Sequence, residues 1–153
     1  MNSDQLYCAL REDECLSRFA KGVFPADKLP RHVNSFPSAY VCNTDPSDLP
    51  GKHWVVFWFQ SPTKAEFYDS FGRLPECYAK EFVTFLELNA QSCVYNNEAV
   101  QSTTSDSCGY HVLFYLLKKC QNVSMKRIVN VLKQCRSPDA YVYDFVTRYF
   151  NCI

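Results

Sequence analysis

Residues 53–59 read HWVVFWF, a run that is β-branched or aromatic at every position after its opening histidine. Successive side chains of a strand point to opposite faces, and here both faces are apolar. Such a strand has to be buried on both sides, so the chain needs a central sheet with other elements laid over it. Ser61-Pro62-Thr63 turns the chain, residues 65–70 (AEFYDS) return as a second strand, and Phe71-Gly72 ends it. The pair reads as a hairpin.

Around the hairpin the apolar spacing is mostly helical. Ser3 is placed to cap a helix with Leu6, Ala9 and Leu10 inside, and Asp13 to cap a shorter one with Leu16 and Phe19 inside. Residues 22–38 hold Gly22, Pro25, Pro30 and Pro37 and read as an irregular connection, followed by a short strand at 39–43 and a loop at 45–51. Residues 76–91 read as a helix with Tyr78, Phe82, Phe85, Leu86 and Asn89 on one side, and 92–95 as a further strand. Residues 100–107 (VQSTTSDS) form a polar loop, and 109–119 (GYHVLFYLLKK) a helix that is apolar almost all round and ends in lysines. Ser124 caps one closing helix, with Ile128, Val131, Leu132 and Cys135 inward. Ser137-Pro138 opens the other, with Val142, Phe145, Val146 and Tyr149 inward. Strands in the middle with helices around them predict an α+β fold, with residues 1–153 as a single domain.

Composition removes several classes. Of 153 residues 47% are apolar and 21% charged, which supports a packed core and argues against disorder. Sixteen basic residues balance sixteen acidic ones, so a general polyanion binder is not expected. The longest apolar runs, 54–59 and 112–117, are six residues each, far short of the roughly 20 a membrane span needs. The start, MNSDQLYCALREDE, is no export signal, which points to a soluble intracellular protein in a reducing compartment. Nine cysteines, an odd number, include no C-x₂₋₄-C pair, so the expectation is thiols, with neither a disulfide framework nor a metal site.

One thiol is singled out by its position. Cys108 follows the polar loop and opens the buried helix, where the helix field favours a thiolate, and Gly109 leaves the sulfur open to approach. The same position also suits a small buried thiol that packs like alanine. A nucleophilic thiolate needs a base and a group to orient that base. If the hairpin turns between Ser61 and Pro62, paired positions sum to about 123, which sets His53 opposite Ser70 and beside Asp69. An Asp beside a His fixes its tautomer and stabilises imidazolium. His111, three residues after Cys108, is the rival base. With no acidic residue obviously placed to orient it, it reads as structural. Acyl transfer also needs donors for an oxyanion, and the Cys108 N–H and the Gln101 side chain are candidates. Serines and threonines of the same loop are equally placed to cap the helix.

Taken in order, Gly51-Lys52-His53-Trp54, Asp69-Ser70-Phe71-Gly72 and Gln101-x₆-Cys108-Gly109 resemble the adenovirus-protease (adenain) family of cysteine proteases. Val41-Cys42-Asn43-Thr44 and, more weakly, Ser3-Asp4-Gln5-Leu6 are similar too, so the likeness spans roughly residues 2–120. That family is related to the ubiquitin-like-protein-specific proteases. The resemblance implies a permuted papain-like fold with a central mixed sheet, flanking helices and the nucleophile at a helix N-terminus. It implies His53 as base, Asp69 as its orienter (Glu in adenoviral members, Asp in the ubiquitin-like-protein proteases), Gln101 as oxyanion donor and Cys108 as nucleophile. Adenoviral members are activated by a disulfide-linked peptide and by DNA. Cys93 sits near the position of the peptide-linking cysteine, although its gap to Gln101 differs. The zero net charge puts a DNA cofactor in doubt, and no cofactor is needed for the chemistry itself.

The compact chain resembles proteases of adenovirus-like viruses and virus-like DNA transposons. The expected function is therefore a monomeric thiol endopeptidase that processes capsid precursors at glycine-containing sites, in a host nucleus or a virion. The alternatives are a deconjugating protease for ubiquitin-like proteins and a non-catalytic interaction module on the same fold.

Overall fold

The HWVVFWF run becomes β3, Trp54–Ser61, the middle strand of a sheet with order β1-β2-β3-β4-β5. The structure, a computed structural model, describes residues 1–150. The other strands are β1 (Ala20–Phe24), β2 (Ser38–Asn43), β4 (Lys64–Tyr68) and β5 (Ser92–Tyr95). β3 runs antiparallel to β2 and β4, while the outer pairs β1·β2 and β4·β5 are parallel, so the sheet is mixed. The helices are α1 (Ser3–Glu12), α2 (Glu14–Phe19), α3 (Lys80–Asn89), α4 (Cys108–Cys120), α5 (Met125–Gln134) and α6 (Pro138–Tyr149).

Alternation along β3 assigns its side chains to two cores. Trp54, Val56 and Trp58 face α4 and the helices around it, in one apolar cluster with Leu113, Leu116, Ile128 and Val142. Val55, Phe57 and Phe59 face the other way, against Phe82, Phe85 and Leu86 of α3. Both faces of the strand are thus covered, as its sequence requires. α4 is buried from Gly109 to Leu117 apart from Tyr110, and carries Lys118 and Lys119 in its last turn.

Several local expectations shift. Residues 22–24, expected to open the irregular connection, belong instead to strand β1. β1 lies at the sheet edge, pairs only with β2, changes register between Ala20 and Val23, and contains Gly22 at φ +143°, so it lacks a clean alternation. α1 is capped by Asn2, one residue before Ser3. Asn2 Oδ1 accepts the Gln5 N–H at 2.9 Å and Gln5 Oε1 accepts the Asn2 N–H at 3.0 Å, a reciprocal capping box. α3 starts at Lys80, because Pro75–Cys77 first makes a 3₁₀ turn. α5 buries Val129 in place of Val131, which is 39% exposed, and Tyr149 of α6 is 48% exposed, its hydroxyl donating to Asp13 at 2.7 Å. No helix among the described residues is long and apolar enough to cross a membrane.

Candidate active site

The β3–β4 hairpin closes on Pro62 and Thr63, with Ser61 opposite Lys64; beyond a register shift between Phe59 and Ser61, paired positions sum to 124, for example Val56 with Tyr68. The turn sits about one residue later than the sequence reading placed it. His53 lies just before β3 begins and Asp69 just after β4 ends. Freed from the ladder, the two side chains meet, with His53 Nε2 2.6 Å from Asp69 Oδ1.

Asp69 is fully buried and amply supplied with donors. Its Oδ1 also accepts the Phe71 N–H at 2.9 Å, and its Oδ2 accepts the Arg73 N–H at 3.0 Å and the Tyr78 hydroxyl at 2.7 Å. Burial is the largest influence on the carboxyl and favours its neutral form. The bonds from His53, Tyr78 and Phe71 together outweigh it and hold the group below the usual carboxylate range. The backbone of Asp69 is fixed as well. Asn96 Oδ1 accepts its N–H at 3.0 Å and Asn96 Nδ2 donates to its carbonyl at 2.5 Å.

Phe71 stacks on the His53 ring at 4.5 Å between centroids, and the Tyr78 ring lies 6.1 Å from the same imidazole. Gly72 closes the turn by donating its N–H to the Asp69 carbonyl at 2.8 Å. Its φ is +68°, and a Cβ there would sit 2.5–2.8 Å from the backbone of Glu98 and Ala99. Only glycine fits this position without strain.

Cys108 is the first residue of α4 and is half-buried. Ser107, at the N-cap, makes no side-chain cap bond, because its hydroxyl donates instead to Asp139 at 2.6 Å. No capping oxygen therefore competes for the field at the start of α4. With Nε2 of His53 taken by Asp69, Nδ1 is the nitrogen left to face the thiol, and the imidazole and the sulfur lie close enough for each to favour the other's charged form. Burial works against a charged His53. The bond to Asp69 and the nearby Cys108 sulfur prevail and push it up to about 8. Burial likewise pushes the Cys108 thiol up, but His53 and the backbone N–H groups of Trp54 and Gly109 bring it below its ordinary value of 9.0. The pair is biased toward thiolate and imidazolium.

Gln101 comes to the same cleft from the polar loop. Its Oε1 accepts the Ser70 hydroxyl at 2.5 Å, and its Nε2 donates to the Ser105 carbonyl at 2.8 Å. His53, Trp54, Gln101, Asp106 and Cys108, together with Met1 and Lys52, line a cleft of about 720 Å³. A separate concavity of about 470 Å³, between residues 26–31 and α3, contains none of them.

The structure thus brings His53, Asp69, Gln101 and Cys108 together, and sets His111 and Cys93 apart. His111 does have an acidic partner, contrary to the sequence reading. Asp139 of α6 lies 2.9 Å from its Nε2. His111 is fully buried and its Nδ1 has no partner. Burial lowers its pKa, and although Asp139 works the other way, the ring is held neutral at pH 7. Cys93 lies on edge strand β5, half-buried against the α3-side core, with its thiol pushed up by burial to about 12. Little thiolate forms there at neutral pH. Among the described residues, no group of three or more His, Cys, Asp or Glu side chains is placed to hold a metal ion.

Sequence reasoning missed Ser70, Tyr78 and Asn96. Ser70 and Tyr78 were visible only as strand and helix residues, and nothing local marks Asn96. The clue available was that buried polar side chains need partners, and Asn96 and Ser70 are 5% and 1% exposed.

No protein-family model matches the chain, and no curated protein matches it. Solved structures do. The crystal structure of the Se-Met ASFV pS273R protease superposes with a TM-score of 0.52 at 24% sequence identity, over 70% of this chain and 42% of that one. The chain therefore spans less than half the length of that protease. The likeness shows the fold: a five-stranded mixed sheet with flanking helices, in the papain-like arrangement of a known protease.

Proposed function

We propose that the chain is a cysteine endopeptidase with Cys108 as nucleophile. The observation that carries this reading is His53, bonded to the buried Asp69 and lining one cleft with a thiol at a helix start. The Cys108 thiolate attacks the scissile carbonyl carbon, and the carbonyl electron pair moves to oxygen. Gln101 and the Cys108 N–H donate to that oxyanion. Protonated His53 passes its proton to the departing amine as the C–N bond breaks, leaving a thioester on Cys108. Neutral His53 then takes a proton from water, hydroxide adds to the thioester, and the thiolate leaves with the acid product released. Asp69 keeps the ring in one tautomer and stabilises its charge.

The substrate class in this proposal is a viral or virus-like capsid precursor, cut at glycine-containing sites in a nucleus or a virion. The chemistry is supplied by the side chains named, and an activating peptide joined at Cys93 would act on regulation. A second reading, deconjugation of ubiquitin-like proteins, is favoured by one observation: the His53 partner is Asp69 rather than Glu.

Co-expression with a capsid precursor encoded beside its gene tests the proposal. Cleavage lost in Cys108→Ala, with an unchanged thermal melt, is the expected result. Undiminished cleavage by that variant overturns it. Labelling of Cys108 by a ubiquitin-like protein carrying a C-terminal electrophile, with the capsid precursor left intact, selects the second reading.

A further inference from the structure

Gln101 is gripped at both ends of its amide by groups of different capability. The Ser105 carbonyl, 2.8 Å from Nε2, can only accept, so it demands the NH₂ end. The Ser70 hydroxyl, 2.5 Å from Oε1, then donates to the oxygen end. Ser70 also holds the backbone of the same segment, its carbonyl accepting the Val100 N–H at 2.8 Å and the Gln101 N–H at 3.0 Å. Both residues are buried, at 1% and 6% exposure, so water cannot substitute for these bonds. An amide NH₂ has two hydrogens. With one spent on the Ser105 carbonyl, the other has only a long 3.4 Å contact to the Ser105 hydroxyl, a weak bond that an oxyanion in the cleft Gln101 lines can replace. A hydrogen bond accepted by Oε1 polarises the amide and strengthens its N–H as a donor.

We propose that Ser70 is a positioning residue that fixes the Gln101 amide for oxyanion binding during acyl transfer. The inference rests on the proposed role of Gln101. It makes Asp69-Ser70 a two-residue bracket, in which the first side chain sets the base and the second sets the oxyanion donor.

Two reactions of Cys108 separate this role from general support of the site. Alkylation by iodoacetamide needs the thiolate but no oxyanion donor. Acylation by the p-nitrophenyl ester of N-benzoylglycine, followed as a p-nitrophenol burst, needs both. Gln101→Ala is expected to slow acylation about 10²–10³-fold. Ser70→Ala is expected to slow it about tenfold, with alkylation within twofold of wild type in each. In the double variant acylation falls no further than in Gln101→Ala alone, since residues acting through one another are not additive.

Additive losses overturn the proposal, as does alkylation slowed as much as acylation. If Ser70→Ala does not melt cooperatively, Ser70→Gly takes its place. Failure of both means that the residue serves folding, which also overturns the proposal. A wild-type Cys108 that alkylates no faster than free cysteine and gives no burst removes the protease reading itself, an outcome distinct from the others.

Discussion

His53 and Asp69 meet at 2.6 Å although neither belongs to the ladder that brings them together. Each occupies the first position beyond the end of its strand, where the chain is released from pairing but still aimed by it. The rigid β3–β4 hairpin thus sets the distance, while the free ends let the two side chains turn toward each other. Every bond that the Asp69 carboxylate accepts beyond His53 comes from residues 71–78, so this carboxylate is held by the chain that leaves the strand.

Cleavage should depend on His53 being protonated when the amine departs. With His53 pushed up to about 8, peptide cleavage is expected to fall as pH rises through about 8. Asp69→Asn removes the anion that favours imidazolium, so the falling limb should move to lower pH along with a large loss of rate. A pH–rate profile of both proteins checks this, and an unmoved limb would contradict it.

Asp69 also makes a stability prediction with a defined sign. Its carboxyl is held below the ordinary 3.8 in the folded protein, so the unfolded chain binds its proton more tightly. The contribution is fully present above pH 3.8 and is lost as pH falls through the lower folded value. The stability gap between wild type and Asp69→Asn should therefore narrow as denaturation midpoints are followed from pH 7 toward pH 3.

Tyr78→Phe keeps the ring beside His53 but removes a 2.7 Å donor to the buried carboxylate. The expected loss is about 1.5–3 kcal/mol in urea denaturation, the range of a hydrogen bond to a charged group. Because Asp69 is then less well satisfied, its acid transition should shift to higher pH.

Gly72→Ala should be worse than its small size suggests. Both the +68° φ and the 2.5–2.8 Å approach of Glu98 and Ala99 oppose a Cβ. A loss on the order of 2 kcal/mol is expected from chemical denaturation. A wild-type midpoint would show that this loop relaxes freely.

What the sequence made legible was whatever rests on local pattern. The doubly apolar β3, the hairpin, α4 and the start of α4 at Cys108 follow from periodicity and turn residues within a dozen positions. The closeness of His53 and Asp69 survived a one-residue error in register because both lie at strand ends. The rest was hidden for physical reasons. β1 is an edge strand with a register change and a glycine at positive φ, so its alternation is broken. Asp139 reaches His111 across 28 residues, and Asn96 reaches Asp69 across 27, from elements whose approach no local pattern encodes. Ser70 was read as a strand residue, yet its hydroxyl serves a side chain 31 positions on.

The convergence of residues 53, 69 and 108 has a consequence for the life of the polypeptide. Before the sheet and α4 assemble, the nine thiols of the chain have nothing to distinguish them. Cys108 acquires its partners only once the hairpin ends and the helix start have met. On the proposed mechanism, selective labelling of Cys108 would be a clock for the completion of folding, and a chain not yet folded would carry no armed thiol.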